Sequence, residues 1–430
     1  MPIPSPVKSN DKLPNAVDIA VIGGGIAGVA TALELVEDGK SVAIFEKGII
    51  AGEQSSRNWG WCRQMGRDPR ELPLIQVSLE LWRQMHQRLG EDVGFRECGI
   101  SYLCANDRQM GRREAWFNSY AGTHGLNTRM MTAEEANELT PGSTVLWKGG
   151  LYTPDDGRAE PTLAVPAMAR AAQKKGALIF QNTAVRGIER TAGQVSSVVT
   201  EHGVVRCGAA VLAGGVWSRR FCHNLGIELP QLSVINSVLR TSPLETGIDR
   251  SFAGEKFAVR KRFDGGYTIA HSIKNYADII PDSFRLFGYY WPILKEEFTD
   301  YSFGIGKRFL VEARLPRRWS NDEVSPFEKI RVLDPKPNQN LQDDALRSLH
   351  KTLPVFKNVK IVERWAGVID VLPDVVPIIS DVPDVPGFFM ATGFSGHGFG
   401  LGPGAGKLMA EIITGKQPSV DKAPFRFGRF

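Results

Sequence analysis

One stretch near the start of the chain, VDIAVIGGGIAGVATALELVEDGKSVAIFEK, restricts the possible folds more than any other part of the sequence. DIAVI is a short apolar run rich in β-branched residues, which is typical of a buried parallel strand. Gly23-x-Gly25-x-x-Gly28 follows directly, and a helical run then leads to a second apolar segment, SVAIF, that ends at Glu46. A strand, a glycine turn, a helix, a strand and a carboxylate within about thirty residues predict a dinucleotide-binding βαβ unit.

The residue types of this unit match the chemistry of a dinucleotide. Gly23 permits the tight turn, Gly25 lets a pyrophosphate approach the backbone, and Gly28 lets the helix lie close to the strand. The helix N-terminus supplies free N–H groups and positive partial charge for the phosphates. Glu46 can accept hydrogen bonds from both hydroxyls of an adenosine ribose, and it would repel a 2′-phosphate.

The polar loop after Glu46 decides between NAD and FAD. It reads KGIIAGEQSSRNWGWCRQMGRD and contains Ser55, Ser56, Arg57 and Asn58. An NAD domain would continue here with further alternation of strands and helices. A hydroxyl-rich loop is expected instead where the chain wraps the ribityl and phosphate part of a longer cofactor, so the sequence predicts FAD.

Composition excludes several other classes of protein. The 52 basic and 47 acidic residues give a net charge of +5 without a long basic run, so we expect no nucleic-acid partner. The five cysteines are odd in number, scattered and free of CxxC pairs, which indicates reduced thiols in a cytoplasmic protein and no metal site. Residues 1–15 are polar and proline-rich, so we expect a mobile tail, and no stretch predicts a transmembrane anchor.

Several segments together resemble the D-amino-acid oxidase superfamily of flavoproteins. They are the βαβ unit, the EKGIIAGEQSSRN loop, VLAGGVWS, VERWAGV and the glycine-rich TGFSGHGFGLGPGAGKLMAEIITG. The likeness runs from Val17 to the C-terminus. It is closest to the branch of the L-amino-acid deaminases and iminodiacetate oxidase, through GEQSSR, DSFRLFG and SPFEKIRV. It implies oxidation of a C–N bond to an imine that hydrolyses.

The resemblance also implies a mixed α/β fold. A Rossmann-like FAD-binding domain would be interleaved with an antiparallel-sheet substrate domain. The FAD-binding domain would comprise residues 16–95, 157–228 and 361–430, and the substrate domain would comprise residues 96–156 and 229–360.

The glycine-rich segment near the C-terminus is expected to pass beside the isoalloxazine ring. Its N–H groups and the following helix would stabilise the negative charge that grows on the ring during hydride transfer. The segment ERWAGVIDVLPD has no cysteine where related enzymes link their flavin, so FAD would be non-covalent. The residues expected to contact FAD are Gly23, Gly25, Ile26, Ala27, Gly28, Glu46, Lys47, Gln54, Ser55, Ser56, Asn58, Trp59, Gly60, Val185, Ala213, Gly214, Gly215, Trp217, Gly367, Gly393, Gly396, His397, Gly398, Phe399 and Gly400.

The substrate carboxylate needs a cationic partner, and the sequence offers several. Alternation along YTIAHS places Tyr267, Ile269 and His271 on one strand face, which in the family roofs the flavin. The deaminases carry an arginine near the position of His271, so the cation here would come from another residue. The candidates for contact with the substrate or the reacting atoms are His271, Lys274, His397, Tyr267 and Arg63, with Arg67 and the Arg260–Lys261–Arg262 run as further cations.

Two functions stay open at this point. The first is oxidation of an amino acid or a secondary amino acid, such as iminodiacetate or an N-alkyl glycine, with oxygen or another electron acceptor. The second is a flavin-bearing electron-transfer subunit of a larger dehydrogenase complex. The aromatic residues of 284–291 would cover the substrate pocket, lie in the core, or contact a partner protein or a membrane surface.

Overall fold

The computed structural model describes residues 1–297 and 301–430, so residues 298–300 of the expected substrate domain lie outside the description. The strands are β1 (Ala16–Ile22), β2 (Val42–Phe45), β3 (Trp61–Cys62), β4 (Arg96–Glu97), β5 (Ile100–Cys104), β6 (Arg129–Met131), β7 (Gly149–Thr153), β8 (Gly157–Arg158), β9 (Leu178–Phe180), β10 (Val185–Thr191), β11 (Gln194–Thr200), β12 (Gly203–Leu212), β13 (Leu232–Thr241), β14 (Ser251–Ala253), β15 (Ala258–Lys261), β16 (Tyr267–Ala270), β17 (Asn275–Asp278), β18 (Tyr301–Gly304), β19 (Ile361–Val371), β20 (Ile378–Asp381) and β21 (Phe388–Thr392).

Helices alternate with these strands along the chain. They are α1 (Ile26–Glu37), α2 (Gln54–Arg57), α3 (Leu72–Leu89), α4 (Asp107–Trp116), α5 (Ala133–Glu138), α6 (Pro161–Lys174), α7 (Ser218–Asn224), α8 (Pro281–Arg285), α9 (Phe287–Glu297), α10 (Lys307–Arg314), α11 (Pro326–Lys329), α12 (Gln339–Thr352) and α13 (Gly398–Thr414). Across the described residues, no helix combines the length and the apolar character needed to cross a bilayer.

The first sheet has a parallel centre in the order β9–β2–β1–β12–β21. Its central strands are apolar and buried, because α1, α3, α6 and α13 form one core with them. The first half of β12 continues into an antiparallel meander with β11 and β10, and β20 adds an antiparallel edge. This arrangement is the predicted Rossmann-like layer.

The second sheet is mainly antiparallel and is centred on β13, which pairs with β16, β17 and β19. One of its faces is covered by α12, whose Leu346 and Leu349 pack in one cluster with Leu239 and Ile269. The opposite face turns toward the first sheet, where Ala270 packs with Trp365 and Trp59. The predicted mixed α/β fold with two interleaved sheets is therefore confirmed.

Two details of the predicted domain organisation differ from the structure. Strand β19 pairs with β13 along its whole length, so residues 361–371 belong to the second sheet and not to the first. The predicted mobile tail, residues 1–15, is wrong, because its backbone is hydrogen-bonded to the first layer. The amide of Ser5 donates to the Thr162 carbonyl at 2.8 Å, and the amide of Asn10 donates to the Ile179 carbonyl at 2.7 Å.

A buried ion pair connects the two layers. Arg260 on β15 lies 2.6 Å from the carboxylate of Glu160, which precedes α6, and their side chains are 1% and 5% exposed. Glu160 also accepts the amide of Phe263 at 2.8 Å, and Arg260 donates to the hydroxyl of Thr268. Removing one of the two charged side chains of such a pair leaves the other as an uncompensated buried charge.

We therefore expect Glu160→Met to reduce the free energy of unfolding by about 3–5 kcal/mol. The double variant Glu160→Met/Arg260→Met should recover part of this loss, because it removes both charges. Thermal unfolding of the wild type and the two variants measures the order of stability. As the control, Asp107→Asn removes the exposed ion pair of Asp107 with Lys148 and should change the free energy of unfolding by less than about 1 kcal/mol. A double variant less stable than Glu160→Met would contradict this account.

Candidate active site

A cleft with an empty volume of about 1200 Å³ runs along the carboxyl ends of β1, β2 and β12 to the start of α13. This edge of a parallel sheet is where nucleotide ligands bind in open α/β folds. The predicted FAD contacts that line it are Gly23, Gly25, Ile26, Ala27, Glu46, Lys47, Gln54, Ser55, Asn58, Val185, Ala213, Gly214, Gly215, Trp217, Gly396, Gly398 and Phe399.

The remaining predicted FAD contacts do not line the cleft, and their contact with FAD stays a prediction. A β-carbon at Gly28 would collide with the carbonyl of Gly23, and one at Gly367 would collide with the side chain of Gln54. These glycines therefore permit close packing without lining the cleft. The predicted contacts in this position are Gly28, Ser56, Trp59, Gly60, Gly367, Gly393, His397 and Gly400.

The turn between β1 and α1 forms one end of the cleft. Gly23 has a φ of +112°, and a β-carbon there would collide with the Ala213 carbonyl. Helix α1 begins after Gly25, which provides no side-chain cap for the helix. The amide of Ile26 donates to the Ser55 hydroxyl at 2.9 Å, whereas those of Ala27 and Gly28 form no hydrogen bond among the described residues and are available to an anion.

Glu46 lies at the end of β2, where a ribose would be held. Its two carboxylate oxygens accept the amides of Gly24 and Gly48, each at 2.7 Å. Burial in the cleft raises the pKa of this carboxyl above its ordinary value. The two amides fix the orientation of the carboxylate, and each oxygen keeps a lone pair for a ribose hydroxyl.

Glu53 organises the middle of the cleft and was missed by the sequence analysis. It accepts Lys47 Nζ at 2.7 Å, the Trp217 indole N–H at 3.1 Å and the Leu333 amide at 2.9 Å. Lys47 also lies 4.5 Å from the centre of the Trp217 ring. The only available signal was the position of Glu53 inside the polar GEQSSR loop.

The C-terminal glycine segment forms the other end of the cleft. Gly393 has a φ of +76°, and its amide donates to the buried carboxylate of Asp370 at 2.7 Å. Gln231 donates to the same carboxylate at 3.1 Å. Asp370 also lines the cleft, and burial raises its pKa. No local motif marks this residue, because it is recruited from β19.

The residues present fit FAD. The free helix N-terminus suits a pyrophosphate, Glu46 suits a ribose, and the side-chain oxygen of Gln54 is buried without a hydrogen-bond partner among the described residues. Gln54 also lines the cleft, so a polar group of the cofactor would complete its hydrogen bonding. No cysteine occurs among the described residues that line the cleft, and non-covalent binding of FAD stays a prediction.

The predicted substrate roof is wrong, because its side chains face away from the cleft. The Tyr267 hydroxyl donates to the Ile248 carbonyl at 2.9 Å, and its ring packs against Phe356. His271 lies 3.5 Å from Asp344 of α12. Alternation correctly places both residues on one strand face, but α12 covers that face. Lys274 is exposed just beyond this strand.

Arg63 and Arg67 lie instead near His397, beside the first turn of α13, and neither of them lines the cleft itself. They follow β3, which contacts the first turn of α13 through Gly400. The Arg63 guanidinium lies 5.8 Å from the Tyr102 ring centre. Burial and the neighbouring Arg63 lower the pKa of Arg67 to about 10.

Asp156 holds the loop that carries these two arginines. Its carboxylate accepts the amide of Gln64 at 2.7 Å and that of Met65 at 3.4 Å. Burial raises its pKa to about 7, against the effect of these hydrogen bonds and of the nearby Arg63. Asp156 therefore stabilises the loop through two of its backbone amides. This role was not predicted from the sequence.

The aromatic segment 284–291 lies on the outer side of the second sheet. Tyr290 is buried, and its hydroxyl donates to the Val371 carbonyl. Phe284, Phe287 and Trp291 are exposed and line an apolar groove. They do not cover the flavin cleft, and contact with a partner protein or a membrane surface stays a prediction.

The role of Glu46 can be tested directly. Glu46→Gln should weaken FAD binding by about 1–3 kcal/mol, because a charge-assisted hydrogen bond to the ribose is lost. Equilibrium dialysis of the deflavinated protein against FAD measures the affinity. Glu37→Gln, at the far end of α1, removes a surface carboxylate and should leave the affinity unchanged. Equal affinities in the wild type and in Glu46→Gln would remove Glu46 from the FAD site.

Similarity to known proteins shows the family of the chain. The family model described as FAD dependent oxidoreductase matches residues 18–412. The chain is similar to L-amino acid deaminase from Proteus myxofaciens, with 35% identity, a TM-score of 0.95, and coverage of 99% of this chain and 96% of that structure. It is 25% identical to glycine oxidase of Geobacillus kaustophilus over 96% of this chain and 97% of that protein. It is 24% identical to 4-methylaminobutanoate oxidase (formaldehyde-forming) of Paenarthrobacter nicotinovorans over 98% of this chain, but it spans only 46% of that protein. The match over most of the chain agrees with the predicted resemblance, and the chain belongs to the FAD dependent oxidoreductase family.

Proposed function

We propose that this protein oxidises the C–N bond of an α-amino acid and that Arg63 and Arg67 hold the substrate carboxylate. The observation that supports this assignment is the buried Arg67 side chain, which lies near His397 at the start of α13. Arg67 is 3% exposed, and its Nη1 atom has no hydrogen-bond partner among the described residues. A buried guanidinium requires such a partner, and a carboxylate is the group that matches its geometry.

The acidic residues nearby already have other partners. Asp156 accepts two backbone amides, and Glu71 is hydrogen-bonded to His397. Within the described residues, neither Arg63 nor Arg67 forms an ion pair shorter than 4.0 Å. An anionic substrate would therefore supply the missing negative charge, and it would do so beside the flavin end of the cleft.

The neighbouring side chains are aromatic and suit an apolar part of the substrate. Trp59 and Trp61 meet edge to face with ring centres 5.5 Å apart, and Tyr102 lies 6.3 Å from Trp61. We infer that these rings would form the apolar side of the substrate site next to the arginines, and such a site would select a carboxylate attached to an apolar group. This arrangement favours an amino acid with a side chain over glycine itself.

The chemistry requires positioning more than acid–base machinery. Bound FAD would supply the hydride acceptor, and the arginines would hold the carboxylate so that the bond between Cα and hydrogen is oriented toward it. The N-terminus of α13 carries positive partial charge, which would stabilise the negative charge that grows on the flavin ring during hydride transfer. The aromatic walls exclude water from this place, and the imine product hydrolyses after release.

The proposed function also fixes the bounds of the two domains. The FAD-binding domain would comprise residues 16–95, 157–228 and 372–430, since β19 lies in the second sheet.

All five cysteines are free thiols, which favours a reducing compartment such as the cytoplasm. Oxygen and a separate electron acceptor are both possible partners for the reduced flavin.

The alternative is an electron-transfer subunit of a larger complex. The exposed apolar groove around Phe284, Phe287 and Trp291 is the feature that favours it, because such grooves mark contact surfaces. Turnover of an amino acid by the purified chain alone, with oxygen or an artificial dye, would favour the enzyme. Reduction only in the presence of a second chain would favour the subunit.

A substrate screen tests the proposed function. Under anaerobic conditions, L-phenylalanine, L-leucine, sarcosine, glycine and iminodiacetate are each mixed with the purified protein, and bleaching of the flavin absorbance is followed. We expect the apolar L-amino acids to bleach the flavin fastest, because they satisfy both the arginines and the aromatic walls. Bleaching by none of these compounds would contradict oxidation of an amino acid.

Substitution of the arginines tests the carboxylate site. Arg63→Met and Arg67→Met should each raise KM about 10- to 100-fold, because a charge-assisted hydrogen bond to the carboxylate is lost. Lys274→Met is the matched control, and its KM should be that of the wild type. FAD content and thermal unfolding show whether each variant is folded. Wild-type KM in both arginine variants would exclude this site.

A further inference from the structure

A histidine–carboxylate pair lies beside the proposed carboxylate site. His397 Nδ1 is 2.9 Å and 3.1 Å from the two oxygens of Glu71. The Glu71 side chain is fully buried, whereas 18% of the His397 side chain is exposed. Because Gly396 and Gly398 both line the cleft, the chain places the histidine at its border.

The carboxylate determines which ring nitrogen of His397 carries the proton. A carboxylate accepts hydrogen bonds, so Nδ1 is the protonated nitrogen and Nε2 keeps its lone pair. Since Nδ1 points inward to Glu71, the exposed edge of the ring is the opposite one, which carries Nε2. The neutral ring is thus prepared to accept a proton at the border of the cleft.

The substrate brings a proton that has to leave. At neutral pH an α-amino acid carries an ammonium group, and its nitrogen cannot assist hydride loss from Cα until the lone pair is free. The positive charges of Arg63 and Arg67 act on His397 and lower its pKa, which means that both guanidinium groups lie near the ring. A carboxylate on the arginines would place the amino group, one carbon away, on the same side as His397.

We propose that Nε2 of His397 accepts a proton from the substrate ammonium group, with Glu71 as the positioning residue; this inference rests on the proposed function. One N–H bond of the ammonium breaks, its electron pair stays on the nitrogen, and an Nε2–H bond forms. No electrons are exchanged in this step. The imidazolium is stabilised by Glu71 and returns its proton to water after the product leaves.

The charged groups around His397 define the expected pH dependence. Arg63 and Arg67 act on His397 from the loop that follows β3. Asp68 and Glu71 act on it from the turn that leads into α3. Burial and then Arg67 lower the pKa of His397 below its ordinary value, while Glu71 acts in the opposite direction. The ring is therefore neutral at neutral pH, and it loses its function as an acceptor only when the pH falls through this pKa.

Anaerobic flavin reduction by stopped flow, from about pH 5 to pH 10, tests the proposal. The substrate is the screened compound that bleaches the wild-type flavin fastest. The wild-type rate should decrease at low pH as His397 becomes protonated. His397→Asn should be about 100-fold slower at neutral pH and should become faster with rising pH, because it depends on amine that is already deprotonated. If the rate of flavin reduction in His397→Asn decreases at low pH in the same way as in the wild type (the acid limb of the pH profile), the proposal is overturned.

Glu71→Gln separates positioning from a purely structural role. The glutamine carbonyl can still accept Nδ1–H, but the charge that stabilises the imidazolium is lost. The acid limb should therefore move to lower pH, and reduction should be slower. A lower thermal unfolding midpoint with an unmoved acid limb would show that Glu71 only supports the turn. His86→Asn, on the exposed side of α3, is the matched control and should behave as the wild type.

A second measurement needs no substrate. Nitrogen-15 NMR of the seven labelled histidines, with His397→Asn to assign the signal, should show the tautomer protonated at Nδ1. A signal for the other tautomer would overturn the proposal even if the enzyme oxidises amino acids. Failure of every screened compound to bleach the flavin would instead contradict the proposed function, so the two failures are distinguishable.

Discussion

The packing of helix α13 against helix α1 is the contact on which the rest of the structure depends. Gly402 and Gly406 lie against Ile26 and Ala30 without space for a β-carbon. Helix α1 begins at the turn that would hold the phosphates, and α13 begins beside the flavin end of the cleft. The close packing of these two helices therefore fixes the distance between the two ends of the cofactor site.

Different parts of the chain hold the two ligands. The cleft for FAD is made largely of backbone and small residues, since a long cofactor needs close approach and oriented N–H groups. In the proposed function, the substrate end would be made of charged side chains on the loop from Arg63 to Glu71 and of the nearby rings of Trp59, Trp61 and Tyr102. This loop is held from beneath by Asp156 and connects to α13 through His397. If the loop binds the substrate as proposed, changes in it would alter substrate preference without disturbing the cofactor site.

Local sequence patterns do not reveal which elements of this chain pack together. Alternation along β16 correctly separates two faces, but it does not reveal that α12 covers the face of Tyr267 and His271. The N-terminal residues have a composition typical of a tail, yet their backbone finds partners in α6 and β9. Asp370 and Glu71 belong to no recognisable motif, because their hydrogen-bond partners Gln231 and His397 are distant from them in sequence.

The sequence by itself determined the fold class, the nucleotide turn and the glycine-rich flavin end. These features are local: a strand, a turn and a helix follow one another within one segment, and Gly23 and Gly28 are required by contacts inside that segment and its neighbouring strand. Only the tertiary structure decided which cations lie at the cleft and which histidine meets a carboxylate. Arg67, Glu71 and His397 come together because β3 packs on α13 across more than three hundred residues of chain. Such contacts depend on the packing of whole layers, and no local pattern encodes them.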